Sequence, residues 1–365
     1  MKESSIFDVL SIDRDEVHWE DYLYRLTPVE SHTDDRLHVT MYFKREDYFA
    51  PLGYGGVNGA KMRQMVYLGS EYIQNSPGRY VVNGTSVHSP QLLMVPAVAR
   101  HYGKKNLSVI GATGPESAMH NHDMVRGGAW IGAEYDCTSR LAYNSVLQKR
   151  CLELQKELGD GSYYLEYGIT LGLQHTDEEI YRFHRIGAEQ VRNVPGDVHT
   201  IIMAAGSCNS CTSVLLGIAL FPPPGLKRIL LVGTGPSKID YLTERLERMK
   251  TTAGTETRLF DGLPYHQNLW DPVPGRFPYS VVFFDTYGTR WCTYDDLIPF
   301  SFDDIVLHPR YEGKVATYAF RYLTDYIDEH TLFWIVGSEP SIEPMREHMS
   351  GDDSGVMHLY QRNGE

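Results

Sequence analysis

Short apolar runs that end in glycine or small polar residues and pass into helix-forming segments recur along this chain, and few folds accommodate that grammar. Segments 79–84, 107–111, 198–205, 228–235 and 332–338 read as strands, 198–205 as a buried one. Segment 37–43 alternates and is rich in β-formers, which predicts a further strand. Helix signals lie between them: good helix formers over 61–68, Pro90 behind the capping residue Ser89 with Gly103 as terminator, an acidic start at 176–179 leading to about Arg192, and a helix from about Thr212. Strands alternating with helices imply a parallel sheet covered on both faces, an α/β fold.

At 365 residues the chain has room for two domains or one large one. Its 34 Lys and Arg against 47 Asp and Glu give a net charge of −13, which argues against a surface built for phosphate backbones or anionic lipid and leaves room only for a local basic pocket. No run approaches the roughly 18 apolar residues of a membrane helix. Residues Met1 to Ser5 lack the basic-then-apolar pattern of a secretory signal, so a cytoplasmic location without membrane contact is expected. Five cysteines are sparse and odd in number, and read as buried thiols.

Two loops carry chemistry by their position. Gly206, Ser207, Cys208, Asn209 and Ser210 link a buried strand to a helix, where backbone N–H groups and the helix dipole favour an anion. The loop lacks the spacing and trailing Lys-Ser or Lys-Thr of a nucleoside triphosphate loop, and a ligand-free turn of small residues fits it equally well. Lys61 follows the cluster Gly53, Gly55, Gly56 and Gly59 at a helix start, where the dipole lowers an amine pKa and an amine can attack a carbonyl; a solvated surface lysine is the plainer reading.

Taken in order, these features resemble the pyridoxal-phosphate (PLP) enzymes of fold type II, the tryptophan synthase β-subunit type. Lys44-Arg45-Glu46-Asp47 is similar to the Lys-Arg-Asp/Glu-Asp of the aminocyclopropane-carboxylate deaminase and D-cysteine desulfhydrase branch, and Gly55 to Arg63 is similar to its Gly-Gly-Asn-Lys-x-Arg, with an insertion between Asn58 and Lys61. Gly206 to Gly217 aligns without gaps on the Gly-Ser-Gly-Gly-Thr-x-Ala-Gly phosphate loop, Cys208 and Asn209 replacing glycines. His308-Pro309-Arg310-Tyr311-Glu312-Gly313-Lys314 resembles Asp-Pro-Val-Tyr-Glu-Gly-Lys, and Val336-Gly337-Ser338 occupies the place of the late strand-end motif.

The resemblance implies two doubly wound parallel-sheet domains with the cofactor in the cleft between them, a large one of residues 1–69 and 176–365 and a small one of 70–175, paired into a homodimer. It implies that Lys61 forms the Schiff base and acts as a base at the α-carbon, that Asn58 and 206–210 hold the cofactor, and that Tyr311 sits over the reacting carbon. Glu312 or Ser338 partners the ring nitrogen. Thr85, Ser86, His88, Ser89 and Gln91 fall where the family holds the substrate carboxylate. The activity implied is elimination, deamination or replacement on an amino acid through a carbanion, a lyase-type reaction. A second reading is similarity to phage enzymes that tailor, for instance decarboxylate, an amino acid attached to hypermodified thymine in DNA; a third is a degenerate, cofactor-free binding module.

Other signals have plain readings. Cys208 and Cys211 form a C-x-x-C at a helix start, read as packed small residues more than a redox pair. His120 and His122 lack a third ligand nearby, so no metal is expected. Gly233-Thr234-Gly235-Pro236 breaks the dinucleotide fingerprint after two glycines. Tyr163, Tyr164 and Tyr167 suit core packing or the aromatic wall of a cleft.

Overall fold

The computed structural model describes residues 18–36, 38–53, 55–112, 114–138, 143–172, 174–253, 280–341 and 358–359. Leu37, the first residue of one expected strand, and residues 1–17 lie outside them. In chain order the first half holds β1 (Val29–Asp34), β2 (Val39–Arg45), α1 (Gly59–Leu68), β3 (Tyr80–Thr85), α2 (Gln91–His101), β4 (Lys105–Ile110), α3 (Pro115–Asn121), α4 (Asp123–Ile131), β5 (Ala133–Cys137), α5 (Asn144–Leu158) and β6 (Tyr163–Leu165). The second half holds α6 (Asp177–Ala188), β7 (Thr200–Ala205), α7 (Asn209–Leu220), β8 (Arg228–Gly233), α8 (Ile239–Met249), β9 (Ser280–Phe284), the hairpin β10 (Ser301–Phe302) and β11 (Ile305–Val306), α9 (Glu312–Tyr322), β12 (Thr331–Ile335) and β13 (His358–Leu359).

The strands build two larger sheets, one ordered β1-β2-β12-β7-β8-β9 and the other β13-β5-β4-β3-β6. Every pairing in them is parallel except β1 with β2. The fold is thus the α/β, parallel-sheet arrangement expected, with two departures. β1 is an antiparallel edge strand in a segment that showed no strand signal, because its Val-Glu-Ser-His-Thr-Asp is polar and mostly part-exposed. β13 comes from the C-terminal end yet joins the smaller sheet beside β5, so the expected division at residue 176 does not describe that strand.

Alternation along the central strands explains the layering. Ile201, Met203, Ile229, Leu231, Leu332 and Trp334 face α6, α7 and α8, whereas Ile202, Leu230, Val232, Phe333 and Ile335 face Val315, Ala316 and Ala319 of α9. Each such buried aliphatic side chain contributes about 1.5–3 kcal/mol relative to exposure. A third cluster ties the two sheets together: Met62, Met65 and Val66 of α1 and Phe183 and Ile186 of α6 pack with Val81, Leu93 and Val98. Thr176 starts α6 with a reciprocal capping box to Glu179. No helix among the described residues is long and apolar enough to cross a membrane.

Candidate active site

The carboxyl ends of β7 and β12 open onto one cleft, the place where ligands enter parallel sheets. The cleft encloses about 660 Å³ including its mouth, and its walls hold Lys61, Ser89, Gln91, His308, Tyr311 and Glu312.

Lys61 is placed by glycine. Gly59 has φ +89°, and a Cβ there would sit 2.3 Å from the Val336 carbonyl oxygen, so only glycine lets the start of α1 press against the end of β12. The Ala60 N–H then donates to Val336 O at 2.8 Å. Lys61, one residue on, is half-buried and opens onto the cleft. Desolvation pulls its amine down to about 8, against the attraction of the Glu312 carboxylate.

The 206–210 loop follows β7 as expected, but its residues divide. Gly206, Ser207, Cys208 and Ser210 line the cleft, joined by Cys211. Cys208 stands before α7 with φ +64°, a left-handed conformation that glycine adopts without penalty. Asn209 turns away: its Nδ2 donates to Gly168 O at 3.1 Å and Ile169 O at 2.8 Å, and its Oδ1 accepts from the Tyr241 hydroxyl. It anchors the helix start and does not line the cleft. The Cys208 and Cys211 thiols are both buried, and Cys211, hydrogen-bonded to Cys208 and desolvated, is held well above the usual thiol range. That is the opposite of a reactive thiolate.

Asn58 is likewise committed elsewhere. It is buried, with Nδ2 on Gly56 O at 2.6 Å and Oδ1 accepting the Ser338 N–H at 2.8 Å, so it braces the strand end whose Ser338 lines the cleft. Glu312 begins α9, 1% exposed, where Oε1 accepts the Val336 N–H at 3.2 Å and Oε2 has no hydrogen-bond partner among the described residues. Burial raises its carboxyl to about 8, opposed by its own N–H and those of Val336 and Gly337. Tyr311 directs its hydroxyl to that of Tyr294 at 2.9 Å, and burial holds it well above the usual phenol range. The Lys314 amine donates to Thr293 O at 2.6 Å and Tyr294 O at 2.9 Å, which fixes the loop carrying Tyr294.

The loop after β3 is only partly in the site. Ser89, Pro90, Gln91 and Met94 line the cleft, whereas Thr85, Ser86 and His88 do not. Thr85 is fully buried at the end of β3, the Ser86 hydroxyl accepts the His88 N–H at 3.4 Å, and His88 is exposed with its ring edge-on to His122. The turn through Ser86–Ser89 carries these residues past the cleft before α2 starts. Sequence reading missed His308, Cys211, Met94 and Tyr294. His308 had a signal, standing where the resembled motif has an aspartate, and Cys211 lay within the matched phosphate loop but was read as packing.

Solved structures share this fold. An aminocyclopropane-carboxylate deaminase homologue superposes with a TM-score of 0.62 at 15% identity, covering 96% of this chain and 99% of that one. O-ureido-L-serine synthase gives 0.53 at 15% identity over 96% and 98%, and threonine deaminase isoform 2 from Solanum lycopersicum 0.51 at 15% over 95% and 88%. No protein-family model matches the chain. The O-seryl-dTMP PLP-dependent decarboxylase of Salmonella phage ViI is 41% identical over 377 aligned positions, covering 94% of this chain and 88% of the phage protein. The chain belongs to the pyridoxal-phosphate enzymes of fold type II. It is an enzyme acting on an amino acid, not a cofactor-free binding module.

The cleft of this PLP enzyme fits its cofactor. PLP needs an amine for its aldehyde, a small-residue cup for its phosphate and a partner for its ring nitrogen. The cleft offers a desolvated lysine, the Gly206–Ser207–Cys208 turn at the start of α7, and a buried carboxyl oxygen, Glu312 Oε2, that nothing in the described chain satisfies.

Proposed function

We propose that the chain is a decarboxylase acting on an amino acid carried on a thymidine nucleotide. The observation that carries this is the 41% identity, over nearly the whole chain, to a protein whose name states that chemistry. The net charge of −13 agrees with a small nucleotide-linked substrate more than with tight binding along a duplex.

When bound, PLP supplies the electron sink that makes a bond at the α-carbon breakable. Lys61 would bind its aldehyde, the loop 206–210 would hold its phosphate through Gly206, Ser207, Cys208 and Ser210, and Glu312 would partner its ring nitrogen. Lys61, its amine at about 8, exchanges a proton readily near neutral pH and is the group suited to deliver one to the α-carbon. Ser89 and Gln91 would position the amino-acid group, while Tyr311, fastened to Tyr294, would form a rigid part of the cleft wall. A second reading, β-elimination or replacement, is favoured by the presence of Ser338 on the same wall, where a hydroxyl would leave the ring nitrogen neutral.

The test is to incubate the PLP-loaded protein with O-seryl-dTMP and follow the nucleotide by mass spectrometry. Loss of carbon dioxide with the amine retained is expected. Release of ammonia or of a keto acid instead would establish elimination and overturn decarboxylation.

A further inference from the structure

His308 is 6% exposed and lines the cleft beside Lys61, Tyr311 and Glu312, yet no role has been given to it. Its surroundings define its chemistry. The Arg310 backbone N–H donates to its Nδ1 at 3.2 Å, and its ring stands edge-on to Tyr311 with centroids 4.7 Å apart. Burial, then the positive charges of Arg310, Lys61 and Lys314, hold the imidazole neutral down to about pH 3. A neutral imidazole carries one hydrogen, and since Nδ1 is accepting, that hydrogen is on Nε2.

Nε2 is buried with no hydrogen-bond partner among the described residues. A buried N–H donor without an acceptor is costly, and folded proteins keep few of them. The missing partner has to bring an acceptor lone pair, and three cationic side chains around the ring favour one that is negatively charged. Glu312, four residues along the chain and on the same cleft wall, uses Oε1 on the Val336 N–H and makes no hydrogen bond to His308.

We propose that His308 is a recognition residue whose Nε2–H donates to an anionic oxygen of the ligand that fills this cleft, the carboxylate of the amino-acid substrate or the ring oxygen of the cofactor. The inference rests on the cleft being the PLP site and holds for either reaction above.

The experiment uses the full chain with ¹⁵N-labelled histidine, the His308 signals being identified by their loss in His308→Gln. The cofactor-free protein is expected to show the Nε2–H form. PLP is added first, its visible absorption reporting occupancy, then glycine or, separately, methylamine, which lacks the carboxylate. A His308 shift with PLP alone assigns the cofactor oxygen, and a shift with glycine but not methylamine assigns the substrate carboxylate. In the second case glycine affinity, read from the visible band, falls by about tenfold or more in His308→Phe and is largely restored in His308→Gln, which keeps an N–H donor. An Nδ1–H form, or a His308 signal unmoved by PLP and by glycine while the visible band shows both bound, overturns the proposal. Absence of any visible band would instead count against the PLP site itself, and the two failures are therefore distinct. Should one variant misfold, loss of the same signals in the other identifies them, and the wild-type spectra then decide the matter.

Discussion

Asn58 fastens the loop before Lys61 to the strand end at Ser338: its Oδ1 accepts the Ser338 N–H at 2.8 Å while its Nδ2 donates to Gly56 O at 2.6 Å. Two walls of the cleft are held together by one amide, buried to 2% exposure. Asn58→Ala leaves buried backbone groups unpaired and should destabilise the cofactor-free protein by about 1–3 kcal/mol. Thermal melting checks this, and the borohydride-reducible linkage of PLP to Lys61 should persist. An unchanged melting temperature with lost PLP binding would make Asn58 a direct cofactor ligand.

Lys61→Ala should abolish that linkage in a protein that still folds. The pH dependence has a definite sign. Only the unprotonated amine attacks an aldehyde, so the rate of linkage formation should rise with pH and level off above about 8. Because burial lowers the amine from 10.5 to about 8, the unfolded chain binds the extra proton between those values, and the stability of the cofactor-free protein gains from this group as pH rises through that window. Denaturant titrations of wild type and Lys61→Ala should diverge there.

Some of this was legible in the sequence and some could not be. Strands β7, β8 and β12 announced themselves because both faces are buried and, after a polar first residue (Thr200, Arg228, Thr331), their residues are apolar, whereas β1, with a polar exposed edge, gave no such signal. Lys61 and the 206–210 loop were marked by glycines and small residues at strand ends, a property of backbone shape. Asn209 and Asn58 have the right positions but their amides point at Gly168, Ile169 and Ser338, and side-chain direction is not written in spacing. His308 acquires meaning only when the turn brings the Arg310 N–H onto its Nδ1.

Cys208 offers a test of local strain. A non-glycine residue held at φ +64° costs on the order of 1 kcal/mol, which glycine relieves at the expense of the buried thiol's pairing with Cys211 and its packing in the core cluster. Cys208→Gly should therefore retain PLP, the two effects offsetting each other to within about 1 kcal/mol of stability. Ser207→Phe, in contrast, places a large ring in the cup and should weaken PLP by at least about tenfold, roughly 1.4 kcal/mol. Fluorescence titration with PLP separates the two.

On the loop after β3, only the residues that reach the cleft should affect substrate. Ser89→Ala and Gln91→Ala should raise KM several-fold, while His88→Ala, on the exposed side against His122, should leave it within about twofold, since surface changes away from a site have small effects. An equal loss at His88 would mean that the substrate extends over the rim.

Glu312 and Ser338 make opposite demands on the ring nitrogen, and Glu312→Gln separates them by stability as well as rate. Burial raises the Glu312 carboxyl from 4.5 to about 8, so between those values the folded protein holds a proton that the unfolded chain has released. Stability contributed by this group is full near pH 4.5 and is lost as pH rises through about 8. Cofactor-free Glu312→Gln should accordingly match wild type near pH 4.5 and exceed it at pH 8 and above by on the order of a few kcal/mol. With PLP bound, a protonated ring nitrogen meeting Oε2 would give the carboxylate the partner it lacks and remove that advantage. Turnover should then fall by on the order of 10² in Glu312→Gln while the linkage to Lys61 forms normally, because a weakened electron sink is felt at the transition state. If PLP instead leaves the Gln advantage intact and turnover collapses only in Ser338→Ala, the nitrogen lies against the hydroxyl and the reaction is elimination at the β-carbon.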